Sequence, residues 1–314
     1  MLGPLTNALA PIFLGLIVGY FAGKRKIVDT SNMDGLIVFT MSFALPCSLF
    51  MSIARTPRGE LPQLKGIAVV LAATYLLVYA LMYFVSRRSL RISRSDSAVT
   101  ALTMGFPNVV AISLPLLSSI YGPSAAASAA ISVAIGAVTV SPLTLSILQM
   151  EKDRQGSRER VNLLRVWASA CARPVVWSPL LAMIFMFFPW HLPPVLERTL
   201  DVFGNATGAS ALFVTGIVVS SHSLRLNPGI FAAAGVKNLL QPVIALGISL
   251  LLHLPADSLH QVVLIAAIPC GFFGLIFGKR YSASPESASS SLVVAYFASV
   301  FTLAITIALL ARLS

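Results

Sequence analysis

Two short stretches carry groups able to bind a small anion: Gly105-Phe106-Pro107-Asn108 and Pro269-Cys270-Gly271, each interrupting an apolar run. Proline lacks the N–H that a helix interior needs, its ring clashes with the preceding turn, and it biases Phe106 away from helical ψ. Gly105 adds backbone freedom, and Asn108 brings an amide that donates and accepts. Helices restarting near Asn108 and Gly271 would each present unpaired N–H groups and roughly half a positive charge, a seat for a carboxylate. The candidate binding set is therefore Gly105, Pro107, Asn108, Val109, Pro269, Cys270 and Gly271. Asn108 has a second role open to it, capping the restarted helix. Cys270 reads as a small packing residue, since no histidine or acid lies near it in sequence to make it a nucleophile.

Other residues offer less chemistry. Leu45-Pro46 can bend its helix or form a wall of a substrate path. Lys237 reads as lying early in its span, where snorkelling to the interface is the default and balancing an anion the alternative. His191, His222, His253 and His260 lack metal-ligand spacing and read as loop or interface residues. Cys47, Cys171 and Cys270 sit in apolar runs without C-x-x-C spacing, so neither a disulfide framework nor a metal site is expected. No Gly-rich phosphate loop and no nucleophile–base set stand out, so neither ATP drive, a cofactor nor an enzyme activity is expected.

The elements that position the two breaks follow from composition. Mean hydropathy is +0.86, with 57% hydrophobic and only 11% charged residues, against roughly 25% charged in soluble chains. That describes a polytopic membrane protein. The net charge of +11 lies in short loops between apolar spans, which favours a topology signal over nucleic-acid binding. Ten spans can be drawn, at about 5–23, 33–53, 65–86, 98–120, 125–148, 164–188, 201–220, 229–252, 258–280 and 286–311. On one side the flanks hold Lys24, Arg25, Lys26, Arg87, Arg88, Arg91, Arg94, Lys152, Arg154, Arg158, Arg160, Arg165, Arg225, Lys279 and Arg280. The other side has only Arg55, Arg58, Lys65, Arg198 and Arg312. The richer side should be cytoplasmic, which puts both termini outside. No basic residue precedes the first apolar span, so a cleaved signal peptide is not expected.

The charged run within 151–163 divides the chain into residues 1–150 and 164–314, five spans each. An odd number per half forces the second half to enter the membrane from the opposite face, making an inverted repeat. Pro107 and Pro269 are 162 residues apart, and both breaks fall in the fourth span of their half, about mid-depth. Two Pro/Gly-interrupted spans at matching places point to a secondary transporter's binding site. Gly15, Gly19 and Gly23 form a small-residue face suited to helix packing. Ser282 to Glu286 reads as a turn and N-terminal cap for the last span.

The segment from Pro107-Asn108 through Ser113-Leu114-Pro115-Leu116-Leu117 to Tyr121-Gly122 resembles the fourth-helix motif of the auxin efflux carrier family, which includes plant auxin carriers and bacterial malonate transporters. Ile268-Pro269-Cys270-Gly271, Phe277-Gly278-Lys279-Arg280-Tyr281 and Pro285 are similar to its ninth-helix pattern, and Leu45-Pro46, Gly208 to Gly216 and Lys237-Asn238 to Pro242 also fit. A short central linker matches the bacterial branch. The resemblance implies an all-α fold of ten transmembrane helices with crossed, broken helices 4 and 9, like sodium/proton antiporters and bile-acid transporters. It implies a transport domain moving elevator-fashion against a scaffold of helices 1, 2, 6 and 7, with Asn108 contacting substrate. A homodimer, if formed, would use the scaffold helices. The expected function is transport of small organic anions, mono- or dicarboxylates such as malonate or malate, across a bacterial inner membrane. A sodium-coupled carrier of the bile-acid type is the alternative within transport; a channel or a membrane-embedded enzyme is the alternative outside it.

Overall fold

The computed structural model describes residues 2–28, 33–154, 163–188, 192–221, 228–281, 283 and 286–313. The described residues form helices and no strand. In chain order these are α1 (Leu2–Lys24), α2 (Met33–Ala54), α3 (Leu61–Arg88), α4 (Arg94–Gly105), α5 (Val109–Tyr121), α6 (Ala126–Val138) and α7 (Val140–Arg154). After the linker come α8 (Leu163–Cys171), α9 (Pro174–Phe187), α10 (Pro194–Ser220), α11 (Pro228–Leu251), α12 (Ala256–Ala267), α13 (Phe273–Arg280) and α14 (Glu286–Leu313). Among the described residues six spans are long and apolar enough to cross a membrane: α2, α3, α6 with α7, α10, α11 and α14. Phe297 and Phe301 on α14 are 68% and 71% exposed, apolar surface that lipid covers without cost and water would not. Much of the expected linker, residues 155–162, lies outside the described residues, as do His191, His222, Arg225 and most of the turn at 282–285.

One expected span is interrupted where the sequence reading had it continuous. Within 164–188, α8 stops at Cys171, Arg173 is extended (φ −72°, ψ 140°), and α9 restarts at Pro174. The cause is the residue order: a proline ring excludes helical backbone from the residue before it, and proline is itself favoured in a first turn.

Among the described residues three helices carry a π-helical turn: Thr40–Ala44 in α2, Val109–Ser113 in α5 and Val236–Leu240 in α11. Each is followed by a proline at the same offset, Pro46, Pro115 and Pro242. Proline's ring would strike the carbonyl four residues back, and the wider π turn moves that carbonyl away while absorbing the missing N–H.

The chain forms two compact units, each drawing segments from both sides of the linker. The first holds residues 1–68, 109–134 and 172–221. Here the small-residue face of α1 packs on α10. A Cβ added at Gly15 would come 3.1 Å from Leu212, while Cβ atoms at Gly19 and Gly23 would fall closer still to the Phe213 carbonyl oxygen and Ser220 Oγ. Small residues let two backbones approach, and that dispersion contact replaces the hydrophobic drive missing in lipid. Arg55, at the end of α2, donates to Glu197 and Asp201 of α10, both at 2.7 Å. Among the residues whose burial is described, no Asp or Glu is buried.

The second unit holds residues 69–108, 135–171 and 222–314. α4 begins at an N-cap: Ser93 Oγ accepts from the Asp96 N–H at 3.0 Å, and Asp96 in the first turn suits the dipole. From Ser97 to Gly105 every residue of α4 is buried, as is every residue of α12 from Ser258 to Ala267 except the half-buried Gln261. Helices buried on nearly every face belong inside a bundle, and these two lie in the unit's interior.

Candidate functional site

α4 and α12 end alike. Phe106 is extended (φ −109°, ψ 118°) because Pro107 follows it, and Ile268 is extended (φ −61°, ψ 139°) because Pro269 follows it. The two extended turns meet as an antiparallel pair centred on Pro107 and Cys270. The Asn108 N–H donates to the Pro269 carbonyl at 2.9 Å, and the Gly271 N–H donates to the Phe106 carbonyl at 2.8 Å. Each break thus satisfies main-chain groups that the other leaves open, which a bilayer interior requires. Close approach needs small residues. A Cβ on Gly271 would stand 3.1 Å from the Phe106 carbonyl oxygen, and one on Gly105 would stand 3.3 Å from the Tyr79 backbone. Phe106 is held edge-on by Tyr75, with ring centres 5.4 Å apart.

Side chains from two further helices close the site. The Asn108 amide, fully buried, donates to the Tyr296 hydroxyl of α14 at 2.6 Å. On α11, Gln241 donates to the Gly105 carbonyl at 3.0 Å and accepts from Lys237 at 2.7 Å; Lys237 also donates to the Ala266 carbonyl at 3.0 Å. Both carbonyls lie in last helical turns, where no intrahelical N–H remains to meet them. Asn238, beside Lys237, donates to the Ala295 carbonyl at 2.8 Å.

A family profile described as membrane transport protein matches residues 4–307, nearly the whole chain. The chain belongs to that family, the one of the auxin efflux carriers. It is similar to the uncharacterized transporter YfdV of Escherichia coli, 26% identical over 297 residues that cover 94% of each chain. A protein named "Putative malonate transporter" in Rhizobium meliloti is 23% identical over 303 residues, 95% of this chain and 93% of its own. Auxin efflux carrier component 8 of Arabidopsis thaliana is 20% identical over 337 residues, covering 91% and 92%.

Within this membrane transport protein the sequence-derived residues fall into two groups. Pro107, Asn108, Pro269, Cys270 and Gly271 come together at the paired turns, and Gly105 joins them through Gln241. Val109, Leu45 and Pro46 belong to the first unit: Val109 opens the π turn packed on α10, and Leu45 and Pro46 are buried in α2 beyond another. Two expectations are corrected. Lys237 does not snorkel; it is the tenth residue of α11 and wholly buried, because two acceptors hold its ammonium inside. His260 is no loop residue but sits within α12, 5% exposed. Tyr296 and Gln241 were missed. For Gln241 the sequence held a signal, since it stands four residues after Lys237 on the same helix face; for Tyr296 it held none.

Replacing Gln241 by leucine removes two hydrogen bonds and leaves a buried ammonium short of an acceptor. Such a loss costs about 1–3 kcal/mol, more where a charge is involved. The expected result is a lower melting temperature for Gln241→Leu in detergent. Replacing Lys237 and Gln241 together by apolar residues of similar volume should restore part of it, since no charge is then stranded.

Proposed function

We propose that this membrane transporter carries small organic anions, mono- or dicarboxylates of the malonate or malate kind, bound where the two proline breaks cross. The observation that carries the reading is the mutual hydrogen bonding of Phe106-Pro107-Asn108 with Pro269-Cys270-Gly271. It gathers an amide donor and the first turn of α13 at one place. An N-terminal turn with its unpaired N–H groups attracts a carboxylate. The name of the Rhizobium relative agrees with that substrate class.

In this reading the chain makes ten spans, two inverted sets of five (1–150 and 164–314), and works elevator-fashion. α1 then serves as the first span, and the shorter helices α4 with α5, α8 with α9, and α12 with α13 complete spans that no single helix in them crosses. Support comes from the two compact units. The first contains α1, α2, α9 and α10, which fall in the scaffold spans 1, 2, 6 and 7, together with α5 and most of α6, while α8, the other part of span 6, falls in the second. The second contains both proline turns, α11 and α14. The bacterial inner membrane is the proposed location, with both termini outside. Reporter fusions at each end and within 155–162 test this: the termini should report outside and the linker cytoplasmic. Termini on opposite faces would remove the ten-span count and the inverted repeat together.

The substrate class is tested by counterflow. Purified protein in liposomes preloaded with unlabelled carboxylates should accumulate the labelled species transiently for at least one mono- or dicarboxylate. Absence of counterflow across the whole panel would sink the proposal.

A further inference from the structure

The buried ammonium of Lys237 has no part in the reading above. It lies nine residues beyond the start of α11, about 14 Å along a helix roughly 36 Å long, and is therefore near mid-depth. Its two acceptors, Gln241 Oε1 and the Ala266 carbonyl, lead to both breaks: Gln241 passes the contact to the Gly105 carbonyl, and Ala266 is in the last turn of α12. The ends of α4 and α12 each carry unpaired carbonyls and a partial negative charge. Lys237 is placed where those two negative ends come together, behind the turns whose N–H side suits an anion.

We infer that Lys237 is a fixed countercharge belonging to the anion site, so that the site loaded with a monoanion is neutral and the empty site carries one positive charge. The inference rests on the transporter reading. It needs the unit's other ionisable groups to leave that balance alone. Among the residues whose burial is described, none of the unit's Asp or Glu side chains is buried. His260 lies six residues before Ala266, about 9 Å nearer the start of α12 and away from the crossing. Cys270 and Tyr296, which share the crossing, carry no charge in their protonated forms.

Two consequences follow from charge conservation. Over a full cycle the charge moved equals that of the anion, whatever the protein carries. Lys237 decides which half of the cycle feels the membrane potential: the loaded passage is indifferent, and the return of the empty site is the voltage-dependent step. The countercharge also selects a monoanionic carboxylate as the transported form, because a dianion leaves one uncompensated charge in the interior.

The experiment uses the full chain in liposomes under potassium–valinomycin clamps at 0 and 100 mV, with a labelled carboxylate that shows counterflow. Homoexchange, with substrate saturating on both sides, samples only the loaded passage; net efflux into substrate-free medium samples both passages. In the wild type, homoexchange should change less than two-fold between the clamps while net efflux changes several-fold. In Lys237→Gln, homoexchange should become several-fold sensitive to potential, and Lys237→Arg should keep the wild-type pattern. Wild-type homoexchange as voltage-sensitive as net efflux overturns the inference, and this arm decides even where Lys237→Gln fails to fold. Homoexchange in Lys237→Gln as indifferent as in the wild type also overturns it. Exchange of no carboxylate by the wild type would overturn the transport reading, and this inference with it.

Discussion

Replacing Asn108 by alanine is expected to weaken binding of the transported anion roughly ten- to a hundredfold while leaving most of the protein folded. A hydrogen bond to a charged group contributes about 1.5–3 kcal/mol, which sets that range. Folding should survive because the pairing of the two breaks at this position is made by the Asn108 main chain, not its side chain. The folded state loses the donor to Tyr296, worth about 1 kcal/mol. Tyr296→Phe separates the roles: it keeps the ring and the amide but loosens the amide's orientation, so a few-fold loss of affinity is expected. Binding of labelled carboxylate to purified protein, with a thermal melt alongside, provides the measurement. Unchanged affinity in Asn108→Ala would remove Asn108 from the site. Loss of folded protein in its place would make capping its main role.

The second large effect concerns the direction of flow. Among the residues whose burial is described no acidic side chain is buried, and Glu197 and Asp201 are engaged in the first turns of α10 by Arg55. Proton-coupled carriers usually place a carboxylate or histidine within the membrane, and sodium sites usually gain from a carboxylate. A uniported monoanion responds to the potential alone, at about 2.3 kcal/mol per 100 mV, or roughly a 50-fold equilibrium ratio favouring the outside of a negative cell. Export, or import only while metabolism consumes the substrate, is the expected mode. Liposomes given a potential, a proton gradient and a sodium gradient separately should respond to the first alone. Concentrative uptake driven by protons or sodium at clamped potential would overturn the expectation.

The extended backbone at Phe106 and Ile268 was legible in the sequence because a proline acts on its own neighbours through local sterics. The same rule applied at Arg173-Pro174, but an apolar run on both sides concealed it. The fate of Lys237 was not legible. Whether a lysine a few turns into a span reaches water or turns inward depends on what stands opposite, and its acceptor at Ala266 is 29 residues away. Tyr296 is further still from its partner, 188 residues from Asn108. The two compact units were hidden for a related reason: each is assembled from three separated segments, so no composition shift along the chain marks their edges.

The mutual satisfaction of the two breaks also fixes an order of events during synthesis. The Phe106 carbonyl and the Asn108 N–H find their partners on Gly271 and Pro269, about 160 residues downstream. At 5–20 residues per second a ribosome takes roughly 8–30 s to supply them. Throughout that interval the first break cannot settle in lipid as it stands, because its open main-chain groups have nothing to bind. The nascent α4 must wait in a wet or protein-lined setting, or run on as a kinked helix, until α12 arrives. A chain stalled before residue 269 should therefore leave Phe106–Asn108 open to protease or to a water-soluble thiol probe at an engineered Phe106→Cys, and a chain extended past α13 should close it.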